Sequence, residues 1–123
     1  MKHLKPTLRE RNRYVAFELS CGRKCGRDEV VKAVWKTLLR FLGEIRVGKL
    51  GLWVMDWLEG PQKGILKVSH KSIRDVRLGL AMLDSVGDSR AAVNVLGVSG
   101  TLKKAREKYL GLKDGQKETK ARE

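Results

Sequence analysis

The sequence predicts an α/β sandwich in which helices pack on a four-stranded antiparallel sheet. Three observations point to it. Segments with apolar residues at every second position take turns with segments whose apolar residues recur at three- and four-residue spacing. Two of the strand-like segments are joined through the turn Gly60-Pro61-Gln62, a link short enough for antiparallel neighbours. A chain of 123 residues with 41% hydrophobic content can bury one core of its own.

Residues 1–12 are polar and basic, contain Pro6 and have no periodicity, so they read as an extended arm before a single domain over 13–110. Arg13 to Ser20 alternates as a strand, with Val15, Phe17 and Leu19 on one face and Tyr14, Ala16 and Glu18 on the other. Cys21 to Arg27 is a loop with Gly22 and Gly26. Asp28 then opens a helix, its charge suited to the positive end of the helix dipole. Val30, Val31, Val34, Trp35, Leu38, Leu39 and Leu42 give that helix its apolar stripe, and Gly43 is placed just past its end. Lys32, Lys36 and Arg40 lie on its polar face.

Leu52 to Glu59 is the second strand, where Trp53, Met55 and Trp57 alternate with Leu52, Val54 and Leu58. Gly64 to Ser69 is the third. Lys71 to Val86 is a second helix with Ile73, Val76, Leu80 and Leu83 inward, ended by Gly87. Arg90 to Leu96 is the fourth strand, Gly97-Val98-Ser99-Gly100 a glycine-rich turn, and Thr101 to Leu110 a short basic helix. The polar segment 111–123 is expected to be disordered. The order βαββαβ, then a C-terminal helix, is the ferredoxin-like unit, with the last helix on the other sheet face or at its edge.

The charge is lopsided: 27 Lys and Arg against 14 Asp and Glu, a formal net charge of +13. It speaks about partners rather than fold, and the choices are nucleic acid, an anionic membrane, an acidic protein or simple solubility. Met1 to Arg13 lacks an apolar signal region, and no apolar run is long enough to span a bilayer. A cytoplasmic location without a membrane partner is therefore expected. Cys21 and Cys25, with His3 and His70, could nominally supply four zinc ligands, but the histidines lie far apart and no paired ligand spacing exists. No metal site is expected. Two free thiols in a polar loop are favoured over a local disulfide.

RNA-recognition motifs use the ferredoxin-like arrangement and stack bases on aromatics of the central strands. Here Ile65-Leu66-Lys67-Val68-Ser69 has no aromatic and the first strand offers only Tyr14, so an RNA would be held by charge and shape. The candidate contacts fall in four groups. The arm region supplies Arg9, Arg11 and Arg13; the loop after the first strand, Arg23 and Lys24; the last helix, Lys103, Lys104, Arg106 and Lys108. The turn supplies Ser99, Gly100 and Thr101, whose backbone N–H groups could meet a phosphate, although Thr101 equally suits a helix cap. Solvated surface is the alternative for every group. Trp35 is read as core, whereas Trp53, Met55 and Trp57 are core or a protein interface. Both faces of the second strand are apolar, so the last helix or a partner must cover the outer one.

Charge and fold alone also fit a stand-alone or ribosome-associated RNA-binding module. The loop Cys21 to Arg27 stands where acylphosphatase-like proteins cradle a phosphate, but their Gly-Arg-Val-Gln-Gly pattern is missing. His70 has no evident carboxylate partner and reads as a cap or surface residue, so no catalytic side chain is expected.

Two end motifs carry a family resemblance. Pro6-Thr7-Leu8-Arg9 with Arg13-Tyr14-Val15-Ala16-Phe17 resembles the opening of the archaeal ribonuclease P protein component 2 family. Leu96-Gly97-Val98-Ser99-Gly100-Thr101-Leu102-Lys103 resembles that family's Leu-Gly-Val-Ser-Gly-Thr-Ile-Lys segment. Ala33-Val34-Trp35, Leu42-Gly43-Glu44, Lys63-Gly64-Ile65-Leu66-Lys67 and Val76-Arg77 fall where the family has similar residues, so the match runs over about 5–112. The cysteine-bearing loop and the charged tail depart from it. The resemblance implies an RRM-like fold and a role as an activating subunit of ribonuclease P, which removes the 5′ leader of precursor tRNA. It implies partnership with the catalytic domain of the ribonuclease P RNA and with the TIM-barrel-like protein component 3. It further implies self-association into a heterotetramer and only indirect contact with precursor tRNA. The RNA, with Mg2+, would perform the hydrolysis, and the protein would bind no cofactor.

Overall fold

The computed structural model describes residues 11–111; most of the expected arm and nearly all of the expected tail lie outside them. Strands β1 (Asn12–Cys21), β2 (Trp53–Leu58), β3 (Lys63–Ser69), β4 (Ser85–Val86) and β5 (Ser89–Ser99) form one antiparallel sheet in the order β2-β3-β1-β5-β4. Helices α1 (Arg27–Val47) and α2 (Ile73–Ala81) lie between strands in the chain; α3 (Leu102–Ala105) runs on into a wider π turn over Arg106–Leu110.

Local chemistry explains the elements. Gly26 caps α1, and the Glu29 carboxylate accepts from the Gly26 N–H at 3.2 Å, satisfying one of the helix-end donors. Gly43, at φ 84°, breaks α1 where the sequence places a stop, but Glu44 to Val47 resume a helical turn and send Val47 into the core. Ser69 caps the short 3-10 turn His70–Ser72 that leads into α2. Gly111, at φ 73°, ends the π turn in the left-handed conformation that glycine tolerates.

The sheet separates two apolar clusters. On one side Val15, Phe17, Leu19, Leu66 and Val68 meet Val30, Val34 and Leu38 of α1 and Val76 and Leu80 of α2. Each such side chain stabilises the fold by about 1.5–3 kcal/mol when fully buried. On the other side Ala16 and Ile65 meet Ala105, with Tyr14, Met55, Leu96, Leu102, Tyr109 and Leu110 around them. The last helix thus covers the second sheet face.

Three expectations are corrected. The sheet has five strands, not four, because Lys71–Val86 is not one helix. Helix α2 ends at Ala81, Leu83 packs in the core, and Ser85–Val86 turns back on Ser89–Arg90. Gly87, at φ 60°, supplies the positive dihedral required at the first position of the two-residue hairpin Gly87-Asp88. Second, Gly97, Val98 and Ser99 belong to β5, and only Gly100 and Thr101 remain as the link to α3. Third, Trp53, Met55 and Trp57 do not share a face. The register against β3 shifts between Val54 and Asp56, leaving Met55 as an extra residue that reverses the alternation. Trp57 is therefore fully buried under the helices and stacks on Phe17 with centroids 5.9 Å apart. Met55 faces α3, and Trp53 is 66% exposed.

Gly64 shows how tight the β2–β3–β1 junction is. A Cβ there would stand 2.7 Å from the Asp56 carbonyl and 2.8 Å from the Phe17 ring. Backbone cannot yield as a side-chain end can, so Gly64→Ala is expected to cost about 1–3 kcal/mol. Urea unfolding checks this; an unchanged midpoint would contradict it.

Candidate nucleic-acid interface

The docking of α3 starts with a carboxylate. The β2 bulge aims Asp56 to the α3 side of the sheet, where it has no exposure. Arg106 closes on it with two bonds, Nε to Oδ2 at 2.8 Å and Nη2 to Oδ1 at 3.0 Å. Such forked pairs are the strong charge-assisted kind. Gly97 makes the second contact possible. A Cβ there would lie 2.1 Å from the Tyr109 hydroxyl, so only glycine lets that ring lie against β5. Thr101 Oγ1 accepts from the Lys104 N–H at 3.2 Å and caps the helix, while Ser99 Oγ accepts from the Thr101 N–H at 3.4 Å. Ser99 and Thr101, two of the turn residues expected as phosphate contacts, thus bond within the entry into α3. Arg106 is a structural brace.

With Ala105 and Arg106 turned inward, Lys103, Lys104 and Lys108 stand on the solvent side. Lys108 Nζ lies 5.5 Å from the centre of the Tyr109 ring, a cation–π distance. Register brings the arm to the same place. Tyr14 pairs with Ser99, so the chain enters β1 where β5 ends and α3 begins. Exposed Arg11 and half-buried Arg13 share that end. The Arg11 carbonyl accepts from the His70 N–H at 2.8 Å, with His70 Nδ1 3.1 Å from the same oxygen, which anchors the chain there. Arg9 lies outside the described residues.

Arg23 and Lys24 are elsewhere. They follow the far end of β1, whose ten residues span about 30 Å. Arg23 grips both Glu29 oxygens at 3.0 and 2.8 Å and donates to Ser89 Oγ at 2.9 Å. Lys24 Nζ donates to the Gly60 carbonyl. Arg23, helped by the Gly26 N–H, holds the Glu29 carboxyl down at about 2. This loop spends its cations on holding itself to α1, to β5 and to the β2–β3 turn. Among the described residues no three His, Cys, Asp or Glu side chains gather as a metal site.

Sequence reading missed Asp56 as an anchor. The signal was there: one carboxylate inside the apolar run Trp53-Val54-Met55-Asp56-Trp57-Leu58 needs a cation from elsewhere.

Comparison with known proteins adds an independent line. Residues 13–110 match the model of the Rpp14/Pop5 family. Ribonuclease P protein component 2 of Methanosarcina acetivorans is 42% identical over 110 residues, covering 89% of this chain and 82% of that protein. The protein of the same name from Thermococcus gammatolerans is 39% identical over 109 residues, covering 89% and 91%. A chain in the cryo-EM structure of yeast ribonuclease MRP superposes with a TM-score of 0.60 at 17% identity, over 80% of this chain and 79% of that one, a likeness of fold.

Two outcomes follow from the geometry. Arg106→Ala leaves the Asp56 carboxylate buried without this partner and should cost about 3–5 kcal/mol, whereas Lys104→Ala should stay within about 0.5 kcal/mol. Equal costs in denaturant unfolding would contradict the anchoring role. By carbonyl NMR, Glu29 should titrate near about 2 in the native chain and return toward the ordinary 4.5 in Arg23→Ala. Because the folded value is depressed, the contact's stabilisation is present above the unfolded carboxyl pKa and fades as pH falls through the folded one. A Glu29 midpoint that ignores Arg23→Ala would refute the cause.

Proposed function

The chain belongs to the Rpp14/Pop5 family, and from that premise we propose that it works as a protein subunit of ribonuclease P, binding and activating the enzyme's RNA for removal of the 5′ leader of precursor tRNA. The observation that carries the mode of binding is the closed outer face of the sheet. In an RNA-recognition motif that face stacks bases; here Ala105, Leu102, Tyr109 and Leu110 occupy it. Contact then falls to phosphates, and the cations at one end of the sheet, Arg11 and Arg13 with Lys103, Lys104 and Lys108, are the groups to make it.

The mechanism is electrostatic. A folded RNA crowds its phosphates, and a chain with a net charge of +13 lowers that repulsion. The catalytic domain of the ribonuclease P RNA then holds its fold, and the Mg2+ that serves hydrolysis, at lower ionic strength. The RNA supplies the reacting groups and this chain no catalytic side chain. Protein component 3 and a second copy of the chain are the protein partners in this reading. Exposed Trp53, on the edge strand β2, is the residue best placed for such a contact. Precursor tRNA is reached through the RNA, in the cytoplasm; no helix among the described residues is long and apolar enough to cross a membrane.

Reconstitution tests the role. Adding this chain to the RNA and component 3 should raise precursor-tRNA cleavage most at low Mg2+, and no rise would refute it. Binding tests the surface. Lys104→Ala and Lys108→Ala should each flatten the dependence of log affinity on log salt by about 0.7–0.9, and Arg23→Ala by less. Equal effects from Arg23→Ala would move the surface to the loop.

A further inference from the structure

The fold brings two thiols together at a place the RNA reading does not use. Cys21 is the last residue of β1, and Cys25 follows four positions on, ahead of α1. Their sulfurs lie 3.5 Å apart, with the Cys25 thiol donating toward Cys21 Sγ. A disulfide bond is about 2.05 Å long, so closure needs a shift of only about 1.5 Å. The residues between, Gly22 to Lys24, are in no helix or strand, and Gly22 has open space around it. Both ends are nevertheless held. Cys21 pairs with Ala91 in the sheet, the Cys25 N–H donates to Gln62 Oε1 at 2.9 Å, and the Cys25 carbonyl accepts from Trp57 Nε1 at 3.0 Å. The encounter of the sulfurs is therefore built into the loop.

Their surroundings differ. Cys25 is fully buried in the main core. Cys21 is half-buried and lines a surface depression with Ser20, Gly22, Asp84 and Arg90. An incoming molecule can reach Cys21 and cannot reach Cys25. We propose that Cys21 and Cys25 form a thiol–disulfide exchange site for low-molecular-weight disulfides, in which Cys21 attacks and Cys25 resolves. The Cys21 thiolate attacks one sulfur of the small disulfide, breaks its S–S bond, forms a mixed disulfide and releases one thiolate, which takes a proton from water. Cys25 then gives its proton to water and attacks Cys21 Sγ, forming the internal bond and expelling the second thiolate. The protein loses two hydrogens and the small disulfide becomes two thiols.

The electrostatics agree with this division. The Arg23 peptide N–H, the Cys25 thiol and the Arg23 charge lower the Cys21 pKa, whereas burial, then Cys21, pushes Cys25 up to about 11. The new bond would close a small ring around Arg23, the residue that ties this loop to Glu29 and Ser89.

The full-length chain, reduced and then exposed to bis(2-hydroxyethyl) disulfide at neutral pH, should lose the mass of two hydrogens and keep no adduct. Cys25→Ser should retain one hydroxyethylthio group on Cys21, and Cys21→Ser should react at least about tenfold more slowly. A stable adduct on the native chain, two thiols still open to alkylation, or Cys21→Ser reacting as fast as Cys25→Ser would each overturn the proposal. If Cys25→Ser fails to fold by circular dichroism, acid-quenched early samples of the native chain should carry the adduct on Cys21 by peptide mapping. An adduct on Cys25 there would overturn it as well.

Discussion

Asp56 stands at full burial on the sheet face turned away from α1 and α2, and a carboxylate in that position is tolerable only with a cation on it. Arg106 is that cation, and it reaches Asp56 from the π turn that continues α3 over the sheet. One extra residue in β2 sets up this demand. Without the shift at Met55, strict alternation would put Asp56 with Val54 among the helices and Trp57 on the outer face. With it, Trp57 fills the main core beside Phe17, and Asp56 becomes the anchor for the last helix.

What the protein offers an RNA follows from that anchoring. The docked helix closes the surface on which related folds stack bases, and it turns three lysines outward beside the entry of β1. Sequence-independent phosphate contact fits an RNA recognised by its folded shape, and it fits the excess of positive charge. At the other end of the sheet Arg23 and Lys24 are held by Glu29 and by the Gly60 carbonyl.

The larger part of the fold was legible in the sequence because it rests on local periodicity. Alternation in Val15, Phe17 and Leu19, helical spacing from Val30 to Leu42 and the Gly60-Pro61-Gln62 turn fixed β1, α1 and the β2–β3 hairpin in kind and order. What escaped depends on distant partners. The β2 bulge exists because Asp56 and Trp57 each satisfy a different neighbour, Arg106 and Phe17. Gly97 reads as a turn residue until Tyr109 is seen lying over it. The short β4 was readable, since Gly87-Asp88 is a hairpin dipeptide, but the apolar spacing of Leu80 and Leu83 carried the helix too far. For the site, Lys103, Lys104 and Lys108 were legible as exposed basic positions, whereas the inward role of Arg106 was not, because composition does not distinguish a cation that binds a partner from one that holds a helix down.

In the proposed function the α3 end of the sheet, and not the loop end, lies against the RNA. An iron chelate tethered at Lys104→Cys, in a chain whose own cysteines are serine, and bound to the ribonuclease P RNA, tests it directly by hydroxyl-radical cleavage. Discrete cuts in the RNA backbone are expected from that position and few from the same tether at Gly22→Cys. Cuts from Gly22→Cys that equal or exceed those from Lys104→Cys would contradict it.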